Sequence, residues 1–136
     1  MQRRSFLVLG AAMAILPLSA NAEVIPYYPG LVDERLAAGE TVLVDFWASW
    51  CSTCRAQSRV MDELKAANPE YEANITFIRV DWDVFADEAL AQDLAIPRRS
   101  TLVVLKGDEE IGRIVAGTRE AEIKALLDAA LAEAKA

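Results

Sequence analysis

The segment 44–54 reads VDFWASWCSTC and places Cys51 and Cys54 between an apolar run and a helical pattern. Backbone N–H groups in the first turn of a helix lack intrahelical partners, and the helix carries about half a positive charge there, so an anionic sulfur is stabilised. Such sites lower a thiol pKa from about 8.5 to between about 3.5 and 7.5. We therefore predict that Cys51 is the nucleophile. Cys54 lies about one helical turn further on, where it can attack a mixed disulfide on Cys51 and close a bridge.

Three other uses of the cysteine pair fit the sequence less well. A structural disulfide across two intervening residues closes a very small loop and restricts little of the unfolded chain. A zinc site needs four ligands, and the chain has two cysteines and no histidine, so we expect no metal. Covalent haem requires a histidine after the second cysteine, where Arg55 stands. The pattern therefore favours a redox-active pair.

The segment 44–54 resembles the active-site stretch of the thioredoxin family, because an acid, three aromatic residues and two cysteines occur in the same fixed order. The resemblance continues through 101–105 and the terminal helix, and covers nearly all of the chain after the first two dozen residues. It implies an α/β thioredoxin fold, a single domain with a central mixed β-sheet covered by helices on both faces. It also implies a protein-disulfide oxidoreductase that uses the redox-active disulfide Cys51–Cys54 and no separate cofactor.

Asp45 lies in the middle of the apolar run, in a predicted buried strand. An unpaired ionised acid is costly in such a place, so we expect burial to raise its pKa. In the thioredoxin family the matching acid lies beneath the second cysteine and accepts and donates protons, and the resemblance implies this catalytic role for Asp45. The alternative is a structural ion pair with Arg79 on the neighbouring strand.

The resemblance also assigns substrate-binding residues. Trp50 precedes Cys51 and is expected to be partly exposed. The family normally has a cis-proline directly before the threonine that opens the next strand, whereas Ser100 precedes Thr101 here. A cis bond before a residue other than proline costs about 2.5–4 kcal/mol, so we expect a trans peptide or a rearranged loop. Because the family's loop offers its backbone to an extended substrate, the resemblance places Arg99, Ser100 and Thr101 in the substrate site.

Two further features bear on the chemistry. Ser52 and Thr53 replace the Gly-Pro dipeptide of typical thioredoxins, and their hydroxyls could donate to the Cys51 sulfur, which would make the protein more oxidising. Arg98 and Arg99 would attract an acidic partner or stabilise the thiolate, with solvated loop charges as the alternative.

Residues 1–22 have the features of a signal peptide. Arg3 and Arg4 precede the apolar run 6–18, and Ala20-Asn21-Ala22 offers small residues for cleavage after Ala22. The paired arginines also resemble a twin-arginine signal. The apolar run is shorter than the roughly 20 residues that span a bilayer, and an uncleaved anchor is the alternative. We expect a mature thioredoxin-like domain over 23–136 in the bacterial periplasm, where disulfides persist.

The chain is acidic, with a formal net charge of -7. Loss of residues 1–22 removes two arginines and no acid, which leaves -9. A phosphate backbone is held largely by Lys and Arg, so nucleic acid is not an expected partner. The expected partners are protein thiols and disulfides, and a membrane electron-donor protein that supplies electrons. We expect the protein to be a monomer.

The rest of the chain is predicted to alternate strands and helices without repeats, as in a single α/β domain. Hydrophobic periodicity and turn residues give the expected boundaries. These are an irregular lead-in over 23–29, helix 31–38, strand 41–48, helix 51–67, strand 75–82, helix 87–94, the hairpin strands 101–105 and 111–115, and a last helix capped by Thr118.

The predicted function is thus an exported thiol-disulfide oxidoreductase, with an expected role as a reductase or electron carrier. A periplasmic disulfide oxidase or isomerase is the first alternative. A non-catalytic, thiol-dependent binding or chaperone module is the second. A metallochaperone is disfavoured, because histidine is absent and methionines do not cluster near the cysteines.

Overall fold

The computed structural model describes residues 24–136, so the predicted signal peptide over 1–22 lies outside the described residues. Within 24–136 no helix has the length and apolar character needed to cross a membrane. The elements in chain order are β1 (Ile25–Pro26), α1 (Leu31–Ala37), β2 (Thr41–Trp47), α2 (Ser52–Ala67), α3 (Glu70–Asn74), β3 (Ile75–Asp81), α4 (Trp82–Phe85), α5 (Ala89–Asp93), β4 (Thr101–Lys106), β5 (Glu109–Val115) and α6 (Glu120–Lys135).

Strand β2 is the centre of a mixed sheet with the order β1-β3-β2-β4-β5. It pairs in parallel with β3 and antiparallel with β4, and β4 and β5 form an antiparallel hairpin. In this register Asp45 lies beside Arg79 on β3 and beside Leu102 on β4. The sheet therefore brings the acid and its predicted alternative partner next to each other.

Successive side chains of β2 point to opposite sides of the sheet, so both faces carry apolar residues, and helices cover both faces. Val42, Val44 and Phe46 pack with residues of α1 and α5 in one apolar cluster. Leu43 belongs to the opposite cluster, together with residues of α2, α3 and α6 such as Met61. Asp45 shares the face of Leu43 and so lies under α2. This arrangement confirms the predicted α/β fold with a mixed central sheet.

Helix α2 positions the cysteines. Cys51 is its N-cap, with the extended backbone that caps require, and its sulfur accepts a hydrogen bond from the backbone N–H of Cys54. The helix buries one face that includes Met61 and Leu64, and it ends at Ala67 as predicted, two residues before Pro69.

The order of the predicted long elements is confirmed, and their ends differ by one or two residues. The hairpin strands are longer than predicted, because β4 continues to Lys106 and β5 begins at Glu109. The strand predicted over 75–82 ends at Asp81, whose carboxylate accepts from the Asp83 N–H and begins α4. The helix predicted over 87–94 is shorter, since Glu88 caps α5 at Ala89 and the helix ends at Asp93.

Several predictions about individual segments and residues are wrong. The lead-in predicted to be irregular contains strand β1, and helices α3 and α4 were not predicted. Thr118 is not the N-cap of α6, because Arg119 takes that place without a side-chain hydrogen bond. Lys65 of α2 is 8% exposed although it is charged, and its ammonium lies 3.9 Å from the centre of the Phe77 ring. Its long apolar stem lets it pack in this way.

Candidate active site

Both cysteines lie at the start of α2 and are unbridged thiols. Cys51 is 3% exposed and Cys54 is 1% exposed, and they pack with Ala48, Trp47 and Trp82. The Cys54 N–H donates to the Cys51 sulfur over 3.1 Å. An anion on Cys51 is thus stabilised by the helix terminus, and the second thiol lies one turn away along the same helix.

Hydrogen bonds set the acidity of Cys51. Burial alone would raise the pKa of its thiol, but hydrogen bonds from the Cys54 side chain, the Ser100 hydroxyl, the Cys54 N–H and the Arg99 side chain outweigh burial. The pKa of Cys51 is lowered to about 7. About half of the Cys51 thiol is therefore ionised at neutral pH.

Cys54 has the opposite tendency. Burial is the largest effect and raises the pKa of its thiol, and the hydrogen bond with Cys51 raises it further. At neutral pH the pair therefore carries its negative charge on Cys51, while Cys54 retains its proton. This asymmetry separates an attacking thiolate from a thiol that must lose a proton before it reacts.

Ser100 faces both sulfurs from the loop before β4. Its Oγ lies 3.1 Å from the Cys51 sulfur and 3.0 Å from the Cys54 sulfur. Residues 24–136 contain no cis peptide bond, so the backbone at Ser100 is trans, and its φ is 63°. The trans peptide, one of the two outcomes expected at this position, is therefore present.

The backbone of Ser100 is unavailable to an extended substrate. Its N–H donates to the Phe46 carbonyl over 2.7 Å, and its carbonyl accepts from the Ala116 N–H and the Gln57 side chain. Thr101 is also fully buried, and its hydroxyl donates to the Arg98 carbonyl. The expectation that Ser100 and Thr101 offer groups to the substrate is thus not supported. They shape the site from inside.

Gln57 was missed by the sequence reasoning. It lies on α2 with no exposed surface, and its amide donates to the carbonyls of Ser100 and Gly117 over 2.9 and 3.0 Å. These bonds tie the Ser100 loop to the cysteine helix. The hydroxyls of Ser52 and Thr53, in contrast, make no hydrogen bond with either sulfur in the part of the chain that the structure describes. Ser100 makes the contacts that were expected of them.

The exposed Trp50 and the half-buried Arg99 form the rim of the site. Trp50 is 55% exposed, and its indole N–H donates to the Asp83 carboxylate over 3.0 Å. The Arg99 guanidinium lies 4.2 Å from the centre of the Trp50 ring, a cation–π contact, and it also interacts with the Cys51 sulfur. A flat aromatic surface with a positive charge therefore borders the thiolate.

Asp45 is 4% exposed, and its carboxylate lies 3.5 Å from the Arg79 Nε. The separation indicates an ion pair rather than a well-formed hydrogen bond. Burial raises the pKa of Asp45, and the charge of Arg79 only partly offsets this, so the pKa is raised to about 6. The ion pair considered as the alternative exists, yet it leaves the acid able to exchange a proton near neutral pH.

A small cavity of about 10 Å³ lies beside Asp45, lined by Ser58, Lys65 and Arg79 among others. This volume is about that of one water molecule. The second carboxylate oxygen of Asp45 is buried and has no protein hydrogen-bond partner. A water in this cavity would hydrate that oxygen.

Within residues 24–136 no group of three or more His, Cys, Asp or Glu side chains is placed to hold a metal ion.

Known proteins resemble this chain over most of its length. A model of the thioredoxin family matches residues 29–129. Thioredoxin from Mycolicibacterium smegmatis is 32% identical over 96 residues, which are 71% of this chain and 83% of that protein. Thioredoxin 1 from a Nostoc species is 31% identical over 95 residues, which are 70% and 84% of the two chains. The solved structure of Trxlp from Edwardsiella tarda superposes with a TM-score of 0.66 at 27% identity, and covers 76% of this chain and 97% of its own.

The matched range includes β2, both cysteines and the Ser100 loop. Thioredoxins are protein-disulfide oxidoreductases that need no cofactor, because the redox-active cysteines are part of the protein. The family model spans more than half of the sequence, and the fold and the cysteine pair agree with it. This chain belongs to the thioredoxin family and is a thiol-disulfide oxidoreductase with the pair Cys51 and Cys54.

Proposed function

We propose that this protein is an exported reductant or electron carrier that exchanges disulfides with protein substrates through its Cys-Ser-Thr-Cys motif. The observation that carries the proposal is the position of Cys51 as the N-cap of α2, with its sulfur bonded to the Cys54 N–H and 3.1 Å from the Ser100 hydroxyl, which lowers the pKa of Cys51 to about 7 while that of Cys54 is raised. A nucleophilic cysteine has a pKa of about 7 in reducing thioredoxins and about 3.5 in a strong periplasmic oxidant. The value for Cys51 supports the reducing direction.

The exchange proceeds in two steps. The Cys51 thiolate attacks one sulfur of a substrate disulfide, so that a Cys51–substrate bond forms, the substrate bond breaks, and the released thiolate takes a proton from water. Cys54 then gives its proton to the Asp45 carboxylate through water and attacks the Cys51 sulfur. The Cys51–Cys54 bond forms, and the second substrate thiolate leaves. Two electrons pass from the cysteine pair to the substrate.

The rim of the site is the proposed substrate surface. Trp50 offers an aromatic face, and Arg99 holds a positive charge over it at 4.2 Å. The rest of the chain is acidic, so the positive charge beside Cys51 contrasts with its surroundings. A substrate with an acidic residue near its cysteine would gain most from this surface.

The proposed direction can be tested with insulin and with glutathione buffers. We expect the purified protein, kept reduced by dithiothreitol, to reduce insulin far faster than dithiothreitol alone. We also expect a reduction potential closer to about -270 mV than to about -120 mV, the values of thioredoxin and of a strong oxidant. A potential near the upper value would establish an oxidase. Insulin reduction at the rate of free dithiol would establish a binding module.

We further propose that residues 1–22 direct export and that cleavage after Ala22 leaves a monomeric periplasmic domain. The support is the sequence pattern of paired arginines, apolar run and small residues. An exported reductant needs its thiols restored outside the cytoplasm, so a membrane electron-donor protein is the proposed partner. Mass spectrometry of a periplasmic fraction from expressing bacteria is expected to find a chain that begins at Glu23. Full-length chain in the cytoplasm or membrane would contradict export with cleavage.

A further inference from the structure

Ser100 has an unusual backbone for a residue with a side chain. Its φ of 63° is in the left-handed region, which costs a non-glycine residue energy. It is nevertheless fully buried, and hydrogen bonds from Gln57, from Ala116 and to Phe46 fix both of its backbone groups. A strained residue that its surroundings hold so firmly is typical of a functional site.

The strain places one hydroxyl between two sulfurs. The Ser100 Oγ is 3.1 Å from the Cys51 sulfur and 3.0 Å from the Cys54 sulfur. A hydroxyl has one proton to donate and two lone pairs that accept. In the reduced protein its proton therefore points to the Cys51 sulfur, which carries the charge, and the Cys54 sulfur lies within hydrogen-bond distance of the same oxygen.

We propose that Ser100 is a catalytic residue whose hydroxyl follows the negative charge from Cys51 to Cys54 during disulfide exchange. This inference rests on the proposed function, since it concerns the same two thiols. In the resting state the Ser100 hydroxyl and the Cys54 thiol both donate to the Cys51 thiolate. Once Cys51 is bound in a mixed disulfide its sulfur is neutral, and the hydroxyl rotates to donate to Cys54.

In the second half-reaction each transferred proton then has a named donor and a named acceptor. The Cys54 thiol releases its proton to Asp45 through water, and the resulting thiolate receives a hydrogen bond from Ser100. That thiolate attacks the Cys51 sulfur, the Cys51–Cys54 bond forms, and the bond between Cys51 and the substrate breaks. Ser100 keeps its own proton throughout and stabilises charge at each sulfur in turn.

Proline is incompatible with this arrangement. The Ser100 N–H donates to Phe46 over 2.7 Å, and proline has no N–H. Proline also fixes φ near -65°, whereas Ser100 has 63°. Gln57, buried on α2, donates to the Ser100 carbonyl and so holds the loop in this conformation. The serine is thus supported by neighbours that suit this backbone.

The test uses Ser100→Gly and Ser100→Ala, which both remove the hydroxyl. Glycine adopts the left-handed backbone freely and alanine does not, so the two variants separate the hydroxyl from backbone strain. Ser49→Ala is the control, because Ser49 is exposed and lies two residues before Cys51. Thermal unfolding and near-UV circular dichroism confirm that each variant is folded.

Two rates are measured on the full protein. Alkylation of Cys51 by iodoacetamide is followed against pH, and we expect both Ser100 variants to raise its pKa by about one unit, with alkylation about fivefold slower at pH 7. A mixed disulfide of Cys51 with a coloured aromatic thiol is then prepared, and we expect attack by Cys54 to release the colour about tenfold more slowly. The Ser49→Ala variant should match the wild type in both.

Wild-type values for both rates in the folded Ser100→Gly variant would overturn the inference. The same result with wild-type insulin reduction would leave the proposed function intact. Absence of insulin reduction in the wild type itself would instead reject the proposed function. A change in the alanine variant alone would assign the effect to backbone strain and would also overturn the role of the hydroxyl.

Discussion

Replacement of Cys51 by serine is expected to reduce disulfide exchange to the rate of the free dithiol. An alcohol is almost entirely protonated at neutral pH, whereas the pKa of the Cys51 thiol is lowered to about 7 by hydrogen bonds that outweigh burial. The variant also lacks one sulfur of the Cys51–Cys54 bridge, so no internal disulfide can form. The measurement is insulin reduction with dithiothreitol as the electron source, corrected for dithiothreitol alone.

Replacement of Cys54 by serine separates the two steps and serves as the matched comparison. Cys51 keeps its position at the helix terminus, so it still attacks a substrate disulfide. Without the resolving thiol the mixed disulfide persists, and mass spectrometry should detect the covalent complex with a model substrate. The assigned roles would be reversed if the complex accumulated on Cys54 in the Cys51→Ser protein and none formed on Cys51 in the Cys54→Ser protein.

Replacement of Asp45 by asparagine is expected to stabilise the fold and slow the resolving step. Burial raises the pKa of Asp45 from 3.8 to about 6, so the ionised acid is less favourable in the folded protein than in the unfolded chain. Protonated Asp45 makes its full contribution to the free energy of unfolding below pH 3.8, the pKa in the unfolded chain. This contribution is lost as the pH rises through about 6, the pKa in the folded protein. At pH 7 the variant avoids this loss and gains up to about 3 kcal/mol in unfolding free energy.

The gain should appear over a defined pH range. Urea unfolding of the two proteins is expected to agree near pH 3.5 and to diverge until about pH 6.5. Asp108→Asn is the control, because Asp108 is exposed in the hairpin turn and should leave stability unchanged. In the same variant of Asp45 the resolving step should slow about 10²-fold, the lower end of general acid–base effects. An unchanged rate between pH 6 and 9 would assign Asp45 to the ion pair alone.

Local sequence was sufficient to predict the cysteine site. Cys51 and Cys54 are separated by one helical turn, and strand β2 leads directly into their helix, so neighbours along the chain fix their geometry. The burial and raised pKa of Asp45 were predicted for a similar reason, because an acid within an apolar strand is visible in the local sequence. The ion pair with Arg79 followed from the pairing of adjacent strands.

Contacts between distant segments were not predictable in the same way. Ser100 lies 49 residues from Cys51 along the chain, and its hydroxyl contacts the sulfurs from a left-handed backbone that the sequence does not reveal. Gln57 reads in the sequence as one more polar residue of an amphipathic helix, and only the folded loop reveals its two carbonyl partners. Sequence similarity identified the altered position before β4, but it could not show that the replacement side chain contacts the thiols.

Short elements and caps were lost for a related reason. Strand β1 has two residues and depends on its pairing with β3, so it has no periodicity of its own. Helices α3 and α4, which were not predicted, are five and four residues long and too short to show a periodicity of their own. The burial of Lys65 was not predictable, because a charged residue is normally exposed. In the structure its stem is buried and its ammonium lies over the Phe77 ring.

The most direct test of the account measures the acidity of Cys51 in the reduced wild-type protein. The rate of iodoacetamide alkylation at Cys51, located by peptide mass spectrometry, is followed from pH 4 to 10. We expect a half-maximal rate near pH 7, with Cys54 modified far more slowly, because hydrogen bonds at the start of α2 outweigh burial at Cys51 and not at Cys54. A half-maximal rate at pH 8.5 or above, or faster modification of Cys54, would contradict the claim that Cys51 is the stabilised thiolate.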